Sequence, residues 1–271
     1  MNADQIAKTL STLKSLRSPH ETVWRDCFDH SYPIRGSGFC TEQISAIEAQ
    51  MRKARMIDGT TTDAARILSS GIMSGLTPAN SLWFGMDVGQ ESEDERRWLD
   101  DSADILWQNI HASNFDAAAF EGLIDVVCAG WFALYIDQDM EKGGFTFDLW
   151  PIASVYCSAS KAGGKIDTVY REYKLTAEQA VNEFGEENLS EGTRKLAKEK
   201  PQEMVRFVHA IYPRTTHMVG AKLAKNMPVA SCKVEVEAKR LVSESGYHEM
   251  PVVVPRWMMI PDSVYAVGPV F

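Results

Sequence analysis

The side chains best suited to chemistry in this chain are carboxylates at element ends, with imidazoles and thiols scattered between them. Asp137 and Asp139 follow an alternating run, WFALYID, and Asp58 precedes a helix-period segment. A carboxylate at such a position could serve as a general acid or base. The same positions suit caps and turns, where a short carboxylate accepts backbone N–H groups, so an α+β enzyme is one reading and an ordinary cap is the other. From Glu91 to Asp104 seven carboxylates stand against two arginines. Acids at a helix start are favoured by the dipole, and acid-base work would also need a cleft. The five cysteines (Cys27, Cys40, Cys128, Cys157, Cys232) and six histidines (His20, His30, His111, His209, His217, His248) contain no CxxC and no close pair. That spacing argues against zinc and fits reduced, mostly buried thiols. No catalytic, metal-binding or cofactor-binding residue is assigned, and no cofactor is expected.

The elements that would position these groups begin with Asp58 to Phe84, DGTTTDAARILSSGIMSGLTPANSLWF. Asp58 or Thr60 can cap a helix whose Ala64, Leu68, Ile72 and Leu76 recur every four residues, which predicts a packed stripe. Gly71 and Gly75 thin that helix where another element could approach. Thr77-Pro78 ends it and Trp83-Phe84 begins a strand. The glycines are followed by no phosphate-loop Lys-Ser/Thr, so the segment points to assembly and not to turnover.

The rest of the first half also reads as helical. Ile6, Leu10 and Leu13 mark one stripe, and a capping box at Ser18 to Glu21 with Pro19 predicts a second helix to about Ser31, stopped by Tyr32-Pro33. A loop, IRGSGFCTEQ, and a basic turn of helix at Met51 to Arg55 follow. Leu99, Ala103, Leu106 and Ile110 supply a buried face. Ser113-Asn114 recaps the chain into a helix defined by Phe120, Leu123, Ile124 and Val127 and closed by Gly130. From Trp131 the period changes to two. Strands are expected at WFALYID, GFTFDLW, SVYCSAS and KIDTVYREYKL, with turns at Lys142-Gly143-Gly144 and Ala162-Gly163-Gly164. A capping box at Thr176 to Gln179 starts a helical insert that Gly185 interrupts. Strands resume at Met204 to Tyr212 and Ser231 to Val242, and Pro251 to Trp257 is an edge or terminal strand. The expected class is α+β: residues 1–130 mainly helical, residues 131–271 an antiparallel, meander-like sheet with the insert at about 176–200.

With 271 residues and 45% apolar content the chain can bury a sizeable core as one large or two small domains. Its net charge of -9 argues against a surface that grips nucleic acid by neutralising phosphates. No apolar run reaches the roughly 18 residues of a membrane span, and the polar amphipathic start lacks a signal-peptide core, so a cytosolic place of synthesis and no membrane partner are expected. The apolar end, VYAVGPVF, predicts a fragment whose continuation begins a new element just past Pro269.

The order of elements, and several words within it, resemble the podovirus-type head-to-tail connecting protein, the phage portal. The words are Trp24-Arg25 with Tyr32-Pro33, Asp58-Gly59-Thr60, Ser70-Gly71, and Ser74-Gly75-Leu76-Thr77-Pro78 leading into Trp83-Phe84. Further on come Ser113-Asn114-Phe115, Gly130, GKIDTVYR at Gly164 to Arg171, His209 to Pro213, Pro251, Arg256-Trp257 and Tyr265 to Pro269. SGLTP followed by WF is the most specific. One departure is Ala266, where a glycine is expected after the tyrosine.

The resemblance implies a non-enzymatic ring of twelve subunits at one capsid vertex, in the virion or encoded by a prophage, through which double-stranded DNA is packaged and ejected. It implies partners in the terminase large subunit, capsid or scaffolding protein and a tail adaptor. Portals of this type are about twice as long, so the stem and clip would lie beyond residue 271. A ring needs a different face on each side of a subunit. Gly71 and Gly75, with Trp98, Trp107 and Trp150 as aromatics a monomer would not need exposed, are the candidates, each tryptophan having core as its alternative. Another phage structural or adaptor protein would share these assembly features.

Overall fold

The computed structural model describes residues 2–36, 58–89, 92–140, 143–161, 163–218, 220 and 222–271. Cys40, the basic turn at Met51 to Arg55, the expected loop beyond Gly36 and the turn residues Lys142 and Ala162 lie outside them. The architecture is α+β. The helices are α1 (Ala3–Ser31), α2 (Pro33–Gly36), α3 (Thr60–Leu76), α4 (Glu93–Ala112), α5 (Phe115–Ala129), α6 (Ala177–Phe184) and α7 (Glu191–Glu199).

A five-stranded antiparallel meander runs β3 (Val155–Ser158), β4 (Thr168–Thr176), β5 (Met204–Pro213), β6 (Val229–Glu235) and β7 (Arg240–Tyr247) in spatial order. A smaller sheet places β1 (Ala133–Gln138) between β2 (Phe145–Trp150) and the two-residue edge β8 (Val252–Val253). The pair β9 (Met258–Met259) and β10 (Ala266–Val267) closes the described chain.

Two expectations at the start give way to one continuous helix. The capping box is Asn2 with Gln5, not Ser18 with Glu21, and Pro19 sits inside α1. Proline removes one ladder bond, but the buried stripe Ile6, Leu10, Leu13, Arg17, Trp24, Phe28 and Ser31 runs straight through it. Tertiary packing along the whole stripe outweighs the local stop signal. The first half of that stripe covers Tyr156, Tyr170, Val208, Ala210 and Tyr212 on one face of the meander. Helices α6 and α7 cover the opposite face at Val205, Phe207 and Val242. Strand β5 is thus buried on both sides. The second half of α1 meets α5 and both sheets in the largest core cluster, built on Trp24, Phe28, Trp131, Trp150 and Tyr265.

Helix α5 is the hub of the helical half and buries nine residues, from Ala118 to Ala129. Gly130 closes it in the left-handed region at φ +89°, as its position predicts. Asn114 does not cap α5 with its side chain. It bonds both backbone groups of Phe147 on β2 (Nδ2 to O 2.6 Å, Oδ1 from N 2.9 Å), while Ser113 Oγ accepts from Phe115 N–H. Trp83-Phe84 forms no strand. The segment crosses as irregular chain and packs Trp83 on Phe115.

The expected packed stripe of α3 is reversed. Helix α3 rests mainly on α5 and buries Ala65 and Ser69, whereas Ala64 is exposed, Leu68 is 38% and Leu76 65% exposed, and Ile72 is half-buried. Small side chains let two helix backbones come close. Ser69 also satisfies its own hydroxyl at the Ala65 carbonyl, 2.8 Å away. The larger apolar residues are left pointing outward.

Candidate functional site

The carboxylates that could have done chemistry hold local structure. Asp58 accepts the Thr60 N–H at 2.9 Å, doing the work of an N-cap beside Gly59. Asp137 accepts its neighbour's N–H and the Tyr135 hydroxyl, and the backbone of Asp139 closes the β1–β2 turn onto Gly143 and Gly144. Two histidine pairs look more like catalytic groups. His111 Nδ1 lies 2.9 Å from Asp116, but its Nε2 accepts the Trp83 indole N–H at 3.2 Å, which puts the ring proton on Nδ1 and leaves no basic nitrogen free. His209 Nε2 lies 2.8 Å from Ser231 Oγ, between the rings of Trp150 and Tyr135. Both residues are 5% exposed, so no substrate reaches them. Among the described residues no group of three His, Cys, Asp or Glu side chains could hold a metal, and no helix is long and apolar enough to cross a membrane.

Burial, with Lys233 and Arg171 nearby, pushes His209 down to about 3. The folded protein therefore keeps this ring neutral while an unfolded chain protonates it below about 6.5. Its stabilising contribution is complete above that value and is lost as pH falls toward 3. Asp125, raised to about 6 by desolvation, acts in the opposite sense over the narrower interval from about 6 down to its ordinary value. Between pH 7 and pH 5 the two contributions largely offset each other, so the imidazole is isolated by comparison with His209→Gln: chemical denaturation should show the wild type losing about 2 kcal/mol relative to that variant over this interval. Equal pH slopes for the two proteins would refute this.

What the surface offers is apolar and open. A groove of about 440 Å³ lies between α5, the irregular Trp83 segment and the smaller sheet, lined by Leu76, Trp83, Ile110, Phe115, Phe145, Phe147 and their neighbours, with no charged side chain among them. Among the described residues Gly71 and Gly75 stand in open space, with no atom within 4 Å of where a Cβ would sit. Trp98 is 68% exposed on α4. Trp107 is half-buried, its indole nitrogen shielded with no partner among the described residues and its ring against His111. Trp150 is not an exposed aromatic: it is fully buried in the main core, where its N–H donates to Asp148 at 2.9 Å and Arg171 covers its ring. The five residues therefore do not form one site.

A family profile described as "Bacteriophage head to tail connecting protein" matches residues 3–271. The chain belongs to this family. It is 30% identical over 274 residues to the "Portal protein" of Salmonella phage epsilon15, across 97% of this chain and 48% of that protein. It is 25% identical over 264 residues to the "Probable portal protein" of Bordetella phage BPP-1, across 95% of this chain and 47% of that one. The chain spans about half the length of these curated relatives. Membership places it among structural proteins of the phage head-tail junction.

Several of the connector-like words occupy closely packed places in the fold. Trp24, Trp131 and Tyr265 stack about each other at 5.1 to 5.4 Å. Gly130 and Gly268 let the terminal segment cross the end of α5, since a Cβ on either would fall within 2.4 Å of backbone. Ala266, the departure from the expected glycine, lies fully buried in β10, paired with Met259. It is not among the residues with positive φ, so that strand makes no demand for glycine.

Sequence reasoning missed one buried and one half-buried cation. Arg17, 3% exposed, donates to the carbonyls of Ile152 and Val155 at 2.9 and 2.7 Å and pairs with Glu21. Its place on the α1 stripe, four residues after Leu13, was the available signal. Arg35 reaches the buried Asp125 of α5 at 2.8 Å, and nothing in the spacing of residues 35 and 125 announces that pair.

Proposed function

We propose that this chain supplies part of a portal subunit, a non-enzymatic protein that forms a ring of twelve at one capsid vertex. The ring would be the conduit for double-stranded DNA during packaging and ejection and the attachment point for the tail. The match to the connecting-protein family along residues 3–271 carries the reading. Two physical features support it. Among the described residues, helices α3 and α4 carry exposed apolar side chains, which suit subunit contacts. Its net charge of -9 suits a wall past which DNA slides without sequence-specific binding.

In this reading Gly71, Gly75, Trp98 and Trp107 belong to packing or subunit faces. The partners are other copies of the subunit, the terminase large subunit, capsid or scaffolding protein and a tail adaptor. The protein resides in the virion at the portal vertex and in the host cytoplasm during assembly.

A nonsense mutation in the gene tests this in a phage or an induced prophage. Heads should accumulate without DNA, and antibody to the protein should label a single vertex of wild-type particles. Mature, DNA-filled and tailed particles from the mutant would contradict the proposal.

A further inference from the structure

Two exposed surfaces at different ends of the chain are opposite in charge and alike in carrying large apolar side chains. On α4, Asp94, Trp98, Asp101 and Ile105 recur at spacings that align them along one side of the helix. The opposite side holds the buried Leu99 and Ala103. Trp98 and Ile105 are 68% and 61% exposed, and neither Asp94 nor Asp101 has an ion-pair partner among the described residues. The whole helix carries six carboxylates (Glu93, Asp94, Glu95, Asp100, Asp101, Asp104) against Arg96 and Arg97.

The loop joining β5 to β6 is its counterpart. No carboxylate occurs between Glu203 and Glu235. His217, Lys222 and Lys225 are exposed on the loop, together with Met218 at 64% and Leu223 at 70%. It is braced from below: Arg214 donates to the carbonyls of Ala224, Met227 and Ser245 at 2.8 to 3.1 Å and pairs with Glu244. The lysines thus sit on a fixed platform. Helix α4 packs on α5 and the loop on β7, so the two surfaces belong to separate parts of the molecule.

We propose that neighbouring copies of this chain meet head to tail, the Asp94–Trp98–Asp101–Ile105 face of one copy against Met218, Lys222, Leu223 and Lys225 of the next. The contact deepens the ring reading and rests on it. Charge complementarity selects a second copy as the occupant: two acidic faces repel, two basic loops repel, and only the unlike pair attracts. A contact between unlike faces is heterologous and propagates around a ring, whereas a self-complementary face would stop at a dimer. Four apolar side chains leave water in each contact, with Trp98 as the central anchor. The 20 residues of α4 extend about 30 Å, enough to span a contact of ordinary size.

The test is charge exchange in the whole protein as its gene encodes it, with self-association followed by sedimentation at low and moderate salt. Asp94→Lys with Asp101→Lys should weaken association at least tenfold, and Lys222→Glu with Lys225→Glu should do the same. An equimolar mixture of the two variants should associate again, because alternating copies restore attraction at every contact. A Trp98→Ala variant with unchanged folding should weaken association tenfold or more.

Wild-type oligomers that neither reversal disturbs would overturn this contact and leave the ring reading standing. Weakening without recovery in the mixture would also overturn it. Lysine reversals that spare association but abolish retention on duplex DNA would assign the loop to DNA instead. A wild-type protein that never associates would remove the ring reading, and this contact with it.

Discussion

Replacing Arg35 with alanine is expected to destabilise the protein by about 3 to 5 kcal/mol at pH 8, since losing the half-buried guanidinium leaves the buried Asp125 carboxylate charged and unpaired. Asp125 is 2% exposed, and the guanidinium of Arg35 meets it with two bonds, Nε to Oδ1 at 2.8 Å and Nη2 to Oδ2 at 3.3 Å. The more exposed Glu121 adds a contact at 3.3 Å. Desolvation pushes the Asp125 carboxyl up to about 6 even with Arg35 in place. Without Arg35 it rises further, so the variant's carboxyl takes up a proton at a higher pH. The penalty should therefore be largest above pH 7 and should shrink as pH falls through 6, where Asp125 is neutral in both proteins. Adding Asp125→Asn to Arg35→Ala should recover much of the loss at pH 8. A pH-independent penalty, or no recovery in the double variant, would show that the pair contributes packing and not charge.

A comparable loss, about 3 to 5 kcal/mol, is expected for Gly130→Ala, from two causes that act together. Gly130 holds φ +89°, which a side chain resists. The added Cβ would fall 2.3 Å from the Val267 carbonyl carbon, in backbone that has no free end to swing aside. The terminal segment would have to lift away, breaking the bond from Trp257 N–H to the Gly130 carbonyl and exposing Tyr265 and the rings it covers. Hydrogen exchange should report this as lost protection around residues 257–270 ahead of the meander. A variant with wild-type stability and protection would mean that the close approach of Gly130 to Val267 is wrong.

Local signals proved legible where they agreed with packing. The change of period at Trp131, the capping box at Thr176 to Gln179 and the stops at Tyr32-Pro33, Gly130 and Gly185 all stand where residue chemistry places them. Signals failed where tertiary contacts overruled them. Pro19 did not end α1, because burial of Trp24 and Phe28 continued the stripe beyond it. The four-residue stripe of α3 predicted a buried face, yet small Ala65 and Ser69 won the contact with α5. Hydrophobic periodicity shows that a helix has an apolar side; it does not show whether this chain or another molecule covers it. Trp150 is the converse case: of its two readings, subunit face or core, the structure takes core, since β1, β5 and Arg171 enclose it. Gly71, Gly75 and Trp98 are exposed, which their sequence context suggests, whereas no single motif marks the acid-free β5–β6 loop.

The proposed ring of like subunits is tested most directly by native mass spectrometry with negative-stain imaging of the whole gene product. A single dominant oligomer of twelve subunits is expected, seen as rings with a central hole wide enough for duplex DNA. A product that stays monomeric at high concentration and shows no rings would contradict it.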